Sequence, residues 1–312
     1  MKRIIYKLKF KTGVHFGNGS LSESNNNFQA DTLFSALCIE ALNIGGEEKL
    51  NKFIEYAKKG KFKISDSFPY IDKTLFIPKP FMPLDIKEDR KSDSKEKKAY
   101  KKLKYIPVDK IDSYLKGDLD VLKTNKEIKE LGKYDERNIA AVRREEDAEP
   151  YYLGIYRFSE KGGLYIIVEF EEENYKNEFE ELLKSLSYTG IGGKVSSGLG
   201  KFTFEEEKIP NKLEKRLDNI DNSKIKMSLS LCIPENDKID DALENAYYRI
   251  EKRSGFVYST TYSDTLMRKK DLYVIQAGGC FEKIFEGEIV DVSINGAHPV
   301  YRYAKPLFME VI

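Results

Sequence analysis

Between Tyr188 and Lys201 the chain reads YTGIGGKVSSGLGK, which places five glycines within eleven residues. No other stretch constrains the backbone so tightly, because such density permits turns and close approaches that side chains forbid. Tyr175, Phe179, Leu182, Leu183 and Leu186 precede it at helical spacing, and Phe202 and Phe204 alternate after it. The loop therefore leaves a helix and enters a strand. A P-loop would need Lys after its last glycine, but Leu199 follows Gly198; a GxGxxG turn counted from Gly190 meets Val195 at its third glycine. Both of those motifs also leave a strand and open a helix, the reverse of the order here. What remains is either a purely structural connection or a backbone nest for an anion. Lys194, Ser196, Ser197 and Lys201 supply donors suited to phosphate oxygens.

The elements around the loop predict a topology. Ile4, Tyr6, Leu8 and Phe10 alternate with Ile5, Lys7, Lys9 and Lys11, the pattern of a strand with one buried face and one carrying lysines. Asp31 stands where a helix N-cap belongs, ahead of Leu33, Phe34, Leu37, Ala41 and Leu42. Gly45 and Gly46 end that helix; a second stripe, Leu50 to Ala57, runs to Gly60, and residues 61–65 return as a strand. Adding the strand 164–168, the sequence predicts β-α-β followed by β-α-β, the split βαβ or ferredoxin-like order.

Residues 79–150 interrupt that order. They are lysine-rich, lie behind Pro78, Pro80 and Pro83, and show no strong core pattern, which reads as a partly mobile insertion rather than a domain. From Lys87 to Lys104 nine basic residues face four acidic ones. Beyond residue 210 a similar order begins: a strand at Met227–Ile233, a helix through Ala242, Leu243, Ala246, Tyr247 and Ile250, a strand at 255–260, and three more strands towards the end. The fold class expected is α+β, with one ferredoxin-like domain at 1–210 and a second, incomplete one at 211–312.

Charge and cysteine exclude other classes. With 53 basic and 52 acidic side chains, any nucleic-acid site must come from local sorting of charge rather than from net charge. No run approaches the roughly 20 apolar residues of a membrane span, and the start is not a signal peptide, so a cytoplasmic protein is expected. Cys38, Cys232 and Cys280 form no CxxC pair, and only His15 and His298 stand beside them, so neither a disulfide framework nor a zinc site is expected.

Six segments in order, HFGNG, ADTLFSAL, FIPKPF, YTGIGGKVSSGLGKF, KRSGFVYST and HPVYRYAKPLF, resemble one family over nearly the whole length. That family is the handle-binding subunit of type III-A CRISPR (Csm) effectors, within the RAMP superfamily. The resemblance implies a non-catalytic RNA-binding protein that caps the 5′ handle of crRNA. It also implies contacts with the large polymerase/cyclase-like subunit and a backbone RAMP subunit, and no cofactor or metal. By the same resemblance Gly192, Gly193, Lys194, Ser196, Ser197, Gly198 and Lys201 hold handle phosphates, and His15 and Arg253 line the same cleft. The insertion becomes a thumb on target RNA near the handle, with its lysines as a basic arm and Phe76, Phe81 and Met82 as wedges.

Two readings from other classes stand beside this one. His15 as general base would make a metal-free endoribonuclease, although no partner acid is evident beside it. A protein-only scaffold would leave the glycine loop purely structural. Asp31 is explained by capping, and the pairs Arg143–Arg144 and Lys269–Lys270 are unassigned surface charge.

Overall fold

The computed structural model describes every residue except 18, 85–93, 142–148 and 260, with no side chain described at 141 or 149. Arg143, Arg144 and the lysines from Lys87 to Lys91 lie outside the described residues.

Five strands and two helices build the first half: β1 (Lys2–Phe10), β2 (Phe62–Ile64), β3 (Phe68–Ile71), β4 (Gly162–Phe170) and β5 (Phe202–Glu207), with α1 (Ala30–Lys58) and α2 (Glu173–Thr189). All neighbours are antiparallel, in the order β5–β1–β4, with β2 and β3 both pairing the far side of β4. Opposite Ile4, Tyr6 and Leu8 lie Val168, Ile166 and Leu164, so one face of the sheet is continuous apolar surface. The α1 side chains Leu33, Phe34, Leu37 and Ala41 cover it, together with Phe179, Leu182, Leu183 and Leu186 from α2. Within α1 the helical path breaks at Gly45 and Gly46, the latter at φ 64°, where the sequence places a helix end.

The lysine-bearing face of β1 is not a solvent face. Ile5 is fully buried there with Tyr165 and Ile167, and all three pack against Met227, Leu229, Cys280, Leu307 and Met309 from the second half. Lys7, its side chain 16% exposed, lies over the Tyr70 ring and pairs with Glu207.

Part of the segment read as an insertion belongs to this second core. Tyr105–Pro107 pairs with Thr74–Pro78, which pairs with β3 and extends the sheet to seven strands. Ala99, Leu103, Ile106, Val108, Ile111, Tyr114, Leu119 and Val121 are buried among the residues just named. The expectation of a peripheral, partly mobile segment is therefore corrected for residues 94–131. The following hairpin, Gly132–Ala141 with Glu149–Phe158, pairs ten residues over roughly 33 Å and is anchored on the first core through Tyr156, whose carbonyl accepts from Val14, and Phe158, which stacks on Phe10. Phe76 is buried in the core and therefore cannot be a wedge, while half-buried Phe81 lies under the Arg249 guanidinium.

The second half is less regular than expected. A three-stranded sheet (Cys280–Phe281, Lys226–Ser228, Phe308–Glu310) is joined by two hairpins, Ile250–Arg253 with Leu272–Ile275 and Glu288–Asp291 with Tyr301–Ala304. The helix expected through Ile250 is confined to Ile239–Leu243; Asn245 then turns the chain at φ 54°, and Ile250 pairs with Ile275 as a strand. Of the strand expected at 255–260, the described residues 255–259 form only a single bridge, between Phe256 and Arg268. The molecule is a mixed α+β protein with antiparallel sheets. Among the described residues no helix is long and apolar enough to cross a membrane, and no cluster of side chains fits a metal ion.

Candidate RNA-binding cleft

The glycine loop is fastened along its flanks and open at its tip. The amide of Ile191 donates to the carbonyl of Gly200 (3.1 Å), and that of Gly200 to Gly13 (2.9 Å). A Cβ on Gly200 would lie 2.2 Å from the carbonyl oxygen of Ile191, so only glycine permits this approach. On the other flank the Gly193 amide donates to the His15 carbonyl (2.8 Å). At the tip Lys194, at φ 60°, leads into a short turn, Val195–Ser197, and its ammonium donates to the Tyr151 hydroxyl (3.0 Å). The Val195 and Ser196 amides find no backbone partner among the described residues, which leaves them for a ligand oxygen.

Facing the loop across a cleft of about 820 Å³ are the first turns of α1 and three segments of the second half. Lys194, Arg253, Lys269 and Arg302 line it, against two carboxylates, Asp31 and Glu40. Glu40 is spent within the protein, accepting from Ser185 and from Thr189 (2.8 Å). The cleft is therefore positive although the chain is nearly neutral.

Asp31 is not the cap of α1. Gln29 holds that position without a side-chain bond, and the Ala30 amide is met by Asp66 (2.8 Å). Instead Asp31, 1% exposed, is gripped by two arginines from the second half. Arg253 binds it bidentately, through Nη2 (2.8 Å) and Nε (3.0 Å), and Arg302 pairs with it through Nη1. Burial alone would raise the Asp31 carboxyl, but the charges of Arg253 and Arg302 outweigh it and hold the group below its ordinary value. Beside them burial, reinforced by the Arg302 charge, lowers Lys269 to about 8. Burial raises Asp66 to about 7, against the two backbone amides, Ala30 and Leu231, that it accepts from.

The expected site residues divide accordingly. Gly192, Gly193, Lys194, Ser196 and Arg253 line the cleft; Ser197 and Gly198 lie at the loop tip beside it. Lys201 is exposed outside the cleft, its amide bonded to Thr12 (3.1 Å). His15 is a correction: it is 6% exposed beneath the loop, Nδ1–H donating to the Gly154 carbonyl (2.7 Å), and it holds the loop instead of facing a ligand. Arg253 lines the cleft but is committed to Asp31. Sequence reasoning missed Arg302 and left Lys269 as surface charge, although an arginine inside the apolar run YRYAKPLF is itself a sign of a buried partner.

Comparisons with known proteins agree over both halves. The RAMP superfamily model matches residues 7–203 and the CRISPR Csm4 C-terminal domain model residues 221–311. CRISPR system Cms protein Csm4 of Mycobacterium tuberculosis is 36% identical over 297 residues, covering 95% of this chain and 94% of that protein. The protein of the same name from Streptococcus thermophilus is 36% identical over 318 residues, covering 98% and 99%. Among solved structures, a chain of the Csm3–Csm4 subcomplex of the type III-A CRISPR-Cas interference complex aligns at TM-score 0.68 and 20% identity, covering 98% of each chain. A chain of the Csm1–Csm4 cassette in complex with cA4 aligns at 0.59 and 18%, covering 100% of this chain and 98% of that one. At these identities the structural matches speak for the fold alone.

Proposed function

Because this chain belongs to the Csm4 family within the RAMP superfamily, we propose that it is a non-catalytic RNA-gripping subunit of a type III-A CRISPR effector. In this reading it caps the 5′ handle of crRNA in the cleft between the glycine loop and the second half. The observation that carries the reading is the sorting of charge: four cations against two carboxylates, with the open amides of the loop tip, converge on one groove of a chain whose net charge is only +1. The strand order β5–β1–β4–β2/β3 supports a ferredoxin-like first domain, and the second half is a degenerate relative of it. Relatives crystallised with Csm3 and with Csm1 support carrying a backbone RAMP subunit and a large subunit over as partners in the cytoplasm. The hairpin at 132–158, in place of the whole lysine-rich segment, is the arm we assign to target RNA near the handle. A passive role suits His15, buried under the loop, and Asp31, held by two guanidinium groups; neither is placed to move a proton on a bound strand.

Lys194→Ala combined with Lys269→Ala is expected to weaken binding of a single-stranded handle RNA. The log–log salt slope should become shallower by about 0.7 for each phosphate that the variant no longer neutralises. An unchanged slope in a folded double variant would remove the cleft from the RNA path.

Lys269 also predicts a pH effect. Its ammonium, lowered to about 8, loses its charge between roughly pH 7 and 9 while the guanidinium groups of Arg253 and Arg302 keep theirs. RNA affinity of the wild type should fall across that window, and Lys269→Arg should flatten the fall. The same titration acts on stability with the opposite sign: between about 8 and 10.5 the unfolded chain binds more protons, so stability rises with pH. Equal pH profiles for wild type and Lys269→Arg would contradict the assignment.

A further inference from the structure

Among the described residues the Lys269 ammonium meets no carboxylate within ion-pair distance and no hydrogen-bond acceptor. Its neighbours in the cleft are committed: Arg253 and Arg302 to Asp31, and Lys194 to the Tyr151 hydroxyl. The backbone fixes Lys269 in place, since its amide donates to the Gly255 carbonyl (2.8 Å) and that of Lys270 to Val292 (2.8 Å). The half-buried side chain lies near the face of α1 that carries Asp31 and Cys38, two turns apart, both of which act on its charge. Two guanidinium groups already share the Asp31 carboxylate, and burial pushes the Cys38 thiol well above its ordinary value. Neither is a counter-charge of Lys269's own.

An ammonium so placed gives up its proton readily and becomes a nucleophile. Burial, and after it the Arg302 charge, lowers Lys269 to about 8 from 10.5, so at pH 7 about one such amine in ten is neutral, against roughly one ordinary lysine in three thousand. Amines, like thiols, lose nucleophilicity as their pKa falls, which cancels much of that gain and leaves a rate advantage of about tenfold. Lys52, Lys61, Lys252 and Lys283 show the contrast: a hydrogen bond to a carboxylate holds each above its ordinary value, as an unreactive ammonium. The cleft also selects the reagent. Arg302 Nε–H is buried without an acceptor among the described residues, on a wall that it shares with Lys269. A cationic donor left over in this way suits the oxygen of an anion. A reagent that joins an activated acyl group to a phosphate meets both features at once.

We propose that Lys269 is an acylation site: an acyl phosphate, its anionic end held by the Arg302 guanidinium, transfers its acyl group to the Lys269 nitrogen and so removes a cation from the cleft. The nitrogen lone pair adds to the acyl carbon and a C–N bond forms. The acyl C–O bond breaks, its electron pair leaves with phosphate, and the surplus proton on nitrogen passes to water. The reactivity stands apart from the RNA-binding reading above; its consequence, a weaker grip on RNA, rests on that reading. The test treats the full chain with acetyl phosphate at pH 8 and follows each lysine by peptide mass mapping. Lys269 should be acetylated about tenfold faster than exposed Lys270 next to it, its rate levelling off above about pH 8. Inorganic phosphate should slow that reaction and leave acetylation by neutral N-acetylimidazole unchanged. The acetylated protein and Lys269→Gln should each bind a single-stranded RNA about fourfold more weakly near 0.15 M salt, the factor that one phosphate contact carries. Lys269→Arg should keep its affinity and escape the modification. Lys269 reacting no faster than Lys270, or reacting as fast in the presence of phosphate, would overturn the proposal whatever RNA binding does. Fast acetylation that leaves RNA affinity unchanged, while Lys194→Ala still weakens binding, would keep the cleft reading and remove the control by acylation. If neither change alters affinity, the RNA reading itself falls and the reactive lysine stands.

Discussion

Replacing residues 84–148 with a short Gly/Ser linker is expected to leave no cooperatively folded protein. From the polar, lysine-rich sequence alone that segment looks removable. Inside it, however, Leu103, Ile106, Val108, Ile111, Tyr114, Leu119, Val121 and Leu131 are each at most 6% exposed. All but Leu131, which packs in the first core, cover Leu75, Ile77, Met227, Leu229, Cys280, Leu307 and Met309. Fully burying one such side chain is worth about 1.5–3 kcal/mol, so baring this many partner surfaces exceeds the roughly 5–15 kcal/mol a typical domain has to lose. A matched control changes only the arm: residues 140–150 replaced by Asn-Gly, which closes the ladder at the Ile139–Tyr151 pair with a two-residue hairpin turn. That variant should unfold in urea with the wild-type midpoint and slope. Cooperative unfolding of the larger deletion near the wild-type midpoint would mean the segment does not belong to the core.

The reasons this packing escapes a reading of the sequence are physical. Periodicity reports burial only when an element is long enough to repeat it. The α2 stripe runs over seventeen residues and β4 over nine, both buried in a regular pattern, and both are legible. Between 94 and 131 the elements are three to nine residues long, and each contributes only a few buried groups among many lysines. Ile5 is hidden for a related reason: its neighbours Lys7 and Lys9 reach solvent past a covered face, so the alternation looks one-sided. The glycine loop was legible because glycine density is local, and its place between helix and strand followed from the flanking patterns. What the loop faces was not. Arg253 and Arg302 lie 222 and 271 residues from Asp31, and no local rule joins residues so distant. His15 shows the converse: a histidine in a glycine-rich loop invites a catalytic reading, yet its distinguishing contact is one hydrogen bond to a carbonyl on the hairpin.

Asp31→Ala is expected to destabilise the protein by about 3–5 kcal/mol, because it leaves the Arg302 guanidinium with no carboxylate and Arg253 with Glu251 alone (3.2 Å) in a largely dry site. The magnitude follows from burial: the Arg253 and Arg302 side chains are 17% and 8% exposed, and the Asp31 side chain is not exposed at all. Solvent therefore screens the loss poorly. The ion pair also joins the first turn of α1 to the hairpin strands of the second half, so removing it cuts a tie between halves as well. The urea midpoint should drop at unchanged slope. Acid supplies an independent check of sign. A carboxyl held below its unfolded value of about 3.9 contributes stability that is complete above that value and is lost as pH falls through the folded one. Asp66 acts in the opposite sense: raised to about 7, it makes the folded chain bind more protons between about 4 and 7, so its share of stability falls as pH rises through that window. Asp31→Asn should thus reduce the wild type's loss of stability below about pH 4 by the share Asp31 contributes, and Asp66→Asn should flatten the slope between about 4 and 7. RNA affinity of any folded Asp31→Asn protein should rise, since a negative charge leaves the cleft and two arginines are freed towards phosphate. A midpoint shift worth less than about 1 kcal/mol in Asp31→Ala, or weaker RNA binding by folded Asp31→Asn, would show that the aspartate is no internal counter-charge and that it meets the ligand itself.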